Sequence, residues 1–167
     1  MRVFYGSAIQ GAKNRDERVA VHASLIASMK GAGADVLTEH TTGTSKEEAH
    51  RLLELSIGPL PPLGPERTSY VRNKMIELVE SDIDAAIFEL SIPSIGTGIE
   101  FAHSYLRPRM GLSEVPILVL YERDYWPNGL SSMVVGIGDD MAPKLSIREY
   151  GSLDEAGDII ASFLLGL

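Results

Sequence analysis

The residue of this sequence best placed to do chemistry is Glu100, which ends the segment SIPSIGTGIE. Ser94, Gly96 and Gly98 precede it in a turn that follows an apolar run. Glycines let the backbone pass close to a ligand, and a carboxylate beside such a turn can act as a nucleophile. The alternative is an acid in the first turn of a helix that only complements the helix dipole. The segment by itself leaves both interpretations open.

A second glycine-containing segment, YGSAIQGAKNR, lies between the first predicted strand and the first predicted helix. Gly6, Ser7 and Gly11 precede a helix N-terminus, where backbone N–H groups can bind an anion. The segment is neither a P-loop, because no GK[ST] follows, nor a GxGxxG fingerprint. It predicts an anion-binding loop or a plain glycine turn.

Polar and aromatic side chains occupy two further loops. Glu39 and His40 end the second predicted strand, where they could act as a base, contact a substrate or simply face water. Tyr125 and Trp126 lie in the segment ERDYWPNG, where they could stack on a ligand or pack against the protein. These patterns alone do not decide between the two roles.

Two Glu-x-x-His pairs, Glu47 with His50 and Glu100 with His103, have the spacing found in di-metal sites of helical bundles. Such sites need further glutamates on facing helices, and this chain has the pattern of an α/β protein. We therefore expect no metal, and we interpret His103 as a residue of a helix face.

Strands and helices alternate along the chain, which predicts a parallel sheet. The expected fold is a doubly wound, flavodoxin-like or Rossmann-like sheet of five parallel strands with helices on both faces, in a single domain over residues 1–167. Ligands of such sheets bind beyond the carboxyl ends of the strands. Strands are expected over 2–5, 34–40, 84–91, 115–121 and 144–150. Helices are expected over 14–33, 44–56, about 68–81 and 152–167, and a further helix should follow the SIPSIGTG loop and end near residue 107.

Composition narrows the classes of function. The 167 residues are 44% hydrophobic and 23% charged, and they carry a formal net charge of -8. An acidic chain without a basic patch should repel nucleic acid, and no apolar run approaches the roughly 20 residues that span a bilayer. The absence of cysteine excludes disulfides and thiolate chemistry and fits a cytoplasmic protein. We expect a small-molecule ligand, no nucleic acid and no membrane partner.

Taken together, these segments resemble the nucleoside 2-deoxyribosyltransferase superfamily, and within it the 2'-deoxynucleoside 5'-phosphate N-hydrolase (Rcl-like) branch. The resemblance covers most of the chain in family order. It is carried by FYGSAIQGAKNR, VLTEH, PSIGTGIEFA and LSSMVVG.

The resemblance implies that Glu100 is the catalytic nucleophile. It would attack the anomeric carbon, expel the base and leave a glycosyl ester that water then hydrolyses. Transferases of the family carry an aspartate where this chain has Ser94, and a hydroxyl suits a 5'-phosphate that a carboxylate would repel. No metal or other cofactor is implied.

The resemblance also implies a set of substrate-binding residues and a homodimer in which Ser131 reaches the phosphate bound by the neighbouring subunit. The residues implied to bind substrate are Tyr5, Gly6, Ser7, Ile9, Gln10, Gly11, His40, Ser94, Gly96, Gly98, Ser131 and Met133.

Three segments depart from the family pattern. Asn73 and Lys74 stand near the place of an aspartate that helps the base to leave, so the general acid is not assigned. Val3 stands where the family has a tyrosine, and Tyr5 is adjacent to the glycine instead, which leaves the choice of ribose or deoxyribose open. The segment IGPLPPLGPE is a local expansion that could reshape the base pocket.

Three functions are compatible with these residues. The first is hydrolysis of the base–sugar bond of a nucleoside 5'-monophosphate. The second is base exchange, in which another nucleobase intercepts the same ester. The third is a nucleotide-binding module without turnover.

Overall fold

The computed structural model describes residues 1–8, 15–123 and 130–167, with residues 15 and 16 described through their backbone only. Two short 3₁₀ turns occur at Glu39–Thr42 and Arg107–Met110. The strands are β1 (Arg2–Ser7), β2 (Asp35–Val36), β3 (Ala85–Glu89), β4 (Ile117–Glu122) and β5 (Leu145–Tyr150). The helices are α1 (Arg15–Gly31), α2 (Lys46–Ile57), α3 (Pro65–Glu80), α4 (Ile95–Tyr105), α5 (Ser132–Val135) and α6 (Leu153–Leu165).

The five strands form one parallel sheet in the order β2-β1-β3-β4-β5. The order reverses between β1 and β3, which is the switch point where ligands of doubly wound sheets bind. The predicted doubly wound fold with five parallel strands is confirmed.

Alternate residues of the central strands face two separate apolar cores, as the pleat of a strand requires. Tyr5, Ile87 and Leu120 pack on one face beneath α1 and α6. Phe4 and Phe88 pack on the other face, beneath α3 and α4. Both faces of the sheet are therefore covered, and its polar edge at the carboxyl ends of the strands is left to bind ligands.

Strand β2 ends at Val36, so the prediction that it runs to His40 is wrong. The physical reason lies in Thr38, whose hydroxyl accepts from the backbone N–H of Tyr5 at 2.9 Å and donates to the Tyr5 carbonyl at 2.5 Å. The Thr38 side chain thus bonds the N–H and C=O groups of Tyr5, which the backbone of a longer β2 would otherwise bond. Glu39 and His40 therefore lie in a 3₁₀ turn above β1.

Helix α4 begins at Ile95, because the Ser94 hydroxyl accepts from the backbone N–H of Thr97 and caps the helix. Glu100 thus lies in the second turn of α4, and the prediction of a first-turn acid is wrong. The dipole interpretation loses its basis, since that effect falls off beyond the first turn.

Among the described residues, no helix has the length and apolar character that a membrane crossing requires.

Candidate functional site

A cavity of about 650 Å³ lies beyond the carboxyl end of β1, at the switch point of the sheet. Its walls come from β1, the first 3₁₀ turn, α2, α3 and the first two turns of α4. It gathers most of the side chains that the sequence predicts as functional. The predicted residues that line it are Tyr5, Gly6, Ser7, His40, Ser94, Gly96 and Glu100.

Glu100 is partly buried in this cavity, and burial raises the pKa of its carboxyl to about 7. No described residue gives this carboxylate an ion pair or a hydrogen bond. A carboxylate that is half ionised near neutral pH and has no partner in the described ranges is available to a ligand. Its chemistry fits a nucleophile or a proton carrier better than a structural anion.

One side of the cavity offers hydrogen-bond donors to an anion. The capped first turn of α4 presents backbone N–H groups beside Gly96. The Ser7 hydroxyl is buried close to the Tyr5 hydroxyl, and in the described part of the chain it makes no hydrogen bond of normal geometry. A phosphoryl group could accept from both.

Gly6 and Gly96, which both line the cavity, differ in how much space surrounds the position of a Cβ atom. A Cβ on Gly6 would lie 2.5 Å from ring carbons of Phe88, so the aromatic core already requires glycine there. A Cβ on Gly96 would meet nothing closer than the Ser94 hydroxyl at 3.9 Å. Packing against residues 1–8, 15–123 and 130–167 therefore does not explain Gly96, which lines the cavity.

His40 contributes a neutral imidazole to the cavity. Burial lowers its pKa to about 4, and its Nδ1 atom is buried without a partner among the described residues. A neutral imidazole can donate or accept one hydrogen bond at each nitrogen, which suits a sugar hydroxyl. The hydroxyl of Tyr5, in contrast, lies 2.8 Å from Nδ1 of His22 and is engaged inside the protein.

The α3 wall of the cavity carries cations rather than the carboxylate that the family pattern suggests. Asn73 accepts from the Arg72 guanidinium at 3.1 Å, and Lys74 pairs with Glu77 at 2.5 Å. Neither Asn73 nor Lys74 lines the cavity, whereas Arg72 and Arg67 do. Glu100 is the one carboxylate that lines it within the described ranges.

The structure contains a buried ionic network beneath the site that the sequence did not predict. Glu89, fully buried at the end of β3, pairs with the buried Arg18 of α1. Its other oxygen accepts from the hydroxyls of Ser91 and Tyr150. The available signal was a glutamate ending the apolar strand AAIFE together with an arginine on the buried face of α1.

Gly98, Ser131 and Met133 line a different, largely apolar groove of about 790 Å³ beside α4 and α5. Ser94 lines both this groove and the Glu100 cavity. The groove is flanked by exposed apolar side chains, including Ile95 (87% exposed) and Met133 (82%). The structure therefore does not bring Ser131 and Met133 into the cavity of their own chain.

The remaining predicted residues fall outside the cavity or outside the described residues. His103 Nδ1 lies 2.6 Å from Glu80 and links α4 to α3, so it belongs to a helix face as expected. The predictions for Tyr125 and Trp126 and for Ile9, Gln10 and Gly11 lie outside the described residues.

No family model matches the chain. It is 25% identical to a protein of Methanosarcina mazei over 165 residues, which cover 99% of this chain and 84% of that relative. It is also 25% identical to a protein of Methanosarcina barkeri over 166 residues, covering 99% of this chain and 86% of the relative. Both relatives bear the name "Putative 2'-deoxynucleoside 5'-phosphate N-hydrolase 1".

Proposed function

We propose that this protein hydrolyses the bond between base and sugar in 2'-deoxynucleoside 5'-monophosphates, with Glu100 as nucleophile. The observation that carries the proposal is the Glu100 carboxylate, which lies in the switch-point cavity and has no ion pair or hydrogen bond among the described residues. The names of the two full-length relatives support the same reaction.

The reaction divides into two steps at one carbon. A Glu100 oxygen forms a bond to C1' while the C1'–N bond breaks and its electron pair leaves with the base. Water then attacks C1' of the glycosyl ester and restores the carboxylate, with loss of a proton from water. Each step inverts C1', so the sugar is released with its original configuration.

The phosphate is assigned to the donor-rich side of the cavity. Ser7, the first turn of α4 and the Ser94 hydroxyl lie there, and Glu100 is the one acid that lines the cavity among the described residues. A dianionic phosphate gains from backbone N–H groups at a helix N-terminus, and it would be repelled by an aspartate at position 94.

In the proposed assembly, a second subunit contributes to the phosphate end of the site. Ser131 and Met133 lie in the apolar groove that adjoins the cavity at Ser94. A second copy of the chain seated on this groove would bring its own Ser131 towards the phosphate side of the first. The proposed assembly is a homodimer with shared sites.

The deciding experiment measures base release by chromatography from a panel of purine and pyrimidine 5'-monophosphates, in the ribo and deoxy series. We expect release from the deoxy substrates without any added acceptor base. Glu100→Gln should lower kcat by at least about 10³-fold, because the covalent route is lost. Glu47→Gln is the matched control, since Glu47 is exposed and also belongs to a Glu-x-x-His pair.

The other outcomes select the rival functions. Base exchange predicts that product forms only when a second nucleobase is added. A module without turnover predicts that wild type and Glu100→Gln both bind nucleotide while neither releases base. Either result overturns the hydrolase proposal.

A further inference from the structure

One wall of the cavity is built by α2, α3 and the loop between them. Its apolar part comes from Leu53, Leu60 and Val71. Its polar part consists of His50, Arg67, Thr68 and Arg72. An apolar slot that ends in polar groups suits a flat heterocycle whose edge carries hydrogen-bonding atoms.

Arg67 is the fixed donor of this wall. Its Nε atom donates to the Pro61 carbonyl at 2.5 Å, which orients the guanidinium plane against the loop. The side chain is partly buried, and the described residues give its two terminal nitrogens neither a hydrogen bond nor an ion pair. Because Arg67 lines the cavity, those nitrogens are available to an acceptor on a ligand.

Two other arginines differ from Arg67 in burial or in how many of their nitrogens the protein engages. Arg107 uses its Nε and both terminal nitrogens on the carbonyls of Ser113, Val79 and Ser81. It is therefore saturated and structural. Arg72 is exposed and donates to Asn73.

The strongest polar groups of the wall are the two guanidinium donors of Arg67 and Arg72. Among the described residues that line the cavity there is no Asn, Gln or Asp, and the one glutamate is Glu100. The Thr68 hydroxyl donates its proton to the Gly64 carbonyl at 3.3 Å, so Thr68 can offer a ligand only its acceptor lone pairs. An exocyclic amino group needs an acceptor, and opposite Arg67 it would face another set of N–H groups.

We propose that Arg67 recognises the carbonyl oxygen of an oxo-substituted nucleobase, a 6-oxopurine or a 4-oxopyrimidine, and discriminates against the corresponding amino bases. This inference rests on the proposed function, because it assigns the base end of the same cavity.

The same contact assists departure of the base. When the C1'–N bond breaks, its electron pair passes to the base, and in an oxo base the negative charge spreads onto the carbonyl oxygen. The Arg67 guanidinium, permanently charged, stabilises that oxygen where it accepts the hydrogen bond. Water subsequently protonates the released base. No carboxylic acid of the described residues lines the α3 wall to protonate the leaving base. The Arg67 cation instead stabilises the negative charge that the base carries as it leaves.

The test uses two substrate pairs that differ by one substituent: dIMP with dAMP, and dUMP with dCMP. Wild type should prefer the oxo member of each pair by about tenfold or more in kcat/KM. Arg67→Gln should lower kcat/KM for the oxo members by about 10- to 100-fold, the range for a hydrogen bond to a charged group. For the amino members the loss should stay below about threefold, so the preference collapses. Arg67→Lys, which keeps the charge but loses the fork, should fall between.

Two controls separate recognition from loop structure. Tyr70→Phe removes the 2.8 Å bond from the Tyr70 hydroxyl to the Ile57 carbonyl, a second tether of the same loop. Arg51→Gln removes an exposed arginine of α2 that does not line the cavity. Both should keep the oxo preference. If Tyr70→Phe abolishes it as well, loop position rather than Arg67 sets specificity, and the proposal is wrong.

A binding measurement distinguishes failure of this inference from failure of the proposed reaction. Calorimetric titration of the Glu100→Gln protein with intact dIMP and dAMP, with and without Arg67→Gln, requires no turnover. Tighter binding of dIMP that disappears with Arg67→Gln supports the base assignment even if wild type releases no base. Equal binding of dIMP and dAMP, or an equal loss of both on Arg67→Gln, overturns it and assigns Arg67 to a group common to both nucleotides.

Discussion

At the scale of single residues, the Glu100 carboxylate links the rate of the proposed reaction to one titration. Burial raises its pKa to about 7, and only the ionised form can attack C1'. We therefore expect kcat/KM to rise with pH and to level off above about pH 7, when measured from about pH 5.5 to 8.5. A profile that is flat below neutral pH would show that another group carries the reaction.

Titration of Glu100 should also change the free energy of unfolding, which should fall over the pH range in which kcat/KM rises. The carboxyl has a higher pKa in the folded state than its ordinary value of 4.5. The folded form thus retains a proton that the unfolded chain loses, and the free energy of unfolding falls as pH rises from 4.5 to about 7. Urea unfolding should show Glu100→Gln to be more stable than wild type at about pH 8, by on the order of 2 kcal/mol, and similar to it at about pH 4.

The sequence predicted which loops meet at the site better than it predicted how single side chains sit there. The rule that ligands bind beyond the carboxyl ends of parallel strands brought His40, Ser94 and Glu100 to one edge. The rule could not show that Ser94 caps α4, because glycines at 96 and 98 suggest a loop until the cap is seen. It also could not reveal the orientation of Arg67, which depends on one carbonyl of a proline-rich loop.

At the scale of elements, the ion pair between Arg18 and Glu89 joins α1 to the end of β3 beneath the cavity. Loss of Glu89 removes the nearer of two carboxylates beside the buried Arg18, whose guanidinium also lies 3.4 Å from Glu122, at a cost of up to about 3–5 kcal/mol. Glu89→Leu should therefore lower the free energy of unfolding by that amount in urea titrations. The double variant with Arg18→Met should regain a large part, since both charges are then gone. An additive loss in the double variant would contradict a coupled pair.

Most elements, but not all of their ends, could be predicted from the sequence. The parallel strands and the helices α1, α2, α3, α4 and α6 follow from apolar periodicity and capping residues. The end of β2 could not be predicted, because threonine favours strands and nothing in the sequence shows that Thr38 bonds across to Tyr5. Local propensity fails where a side chain replaces a backbone partner.

At the scale of the whole molecule, the formal net charge of -8 opposes binding of an anionic nucleotide at long range. Binding must then depend on local groups. The cavity provides them as donors, namely the α4 N-terminus, Ser7, Arg67 and Arg72, with Glu100 as the one described acid among its lining residues. A local excess of donors within an acidic chain is therefore compatible with binding of a small anion despite the long-range repulsion.

The proposed homodimer makes a prediction about the groove beside α4 and α5. Met133 is 82% exposed there, and Leu165 on α6 is 80% exposed away from it. Met133→Asp should convert the particle from twice the chain mass of 18.1 kDa to a monomer in light scattering, because a charge cannot be buried unpaired in an apolar interface. Leu165→Asp should leave the mass unchanged. A monomeric wild type would contradict the assembly.

Mixing two defective proteins tests whether Ser131 acts across that interface. Glu100→Gln lacks the nucleophile, and Ser131→Ala lacks the hydroxyl that is proposed to reach the partner's phosphate. In a mixed dimer, the Ser131→Ala subunit keeps Glu100 and receives an intact Ser131 from its partner, so one complete site forms. Activity of the mixture should exceed the sum of the two separate proteins after subunit exchange. If Ser131 acts within its own chain, every site in the mixture keeps one defect and mixing yields no gain.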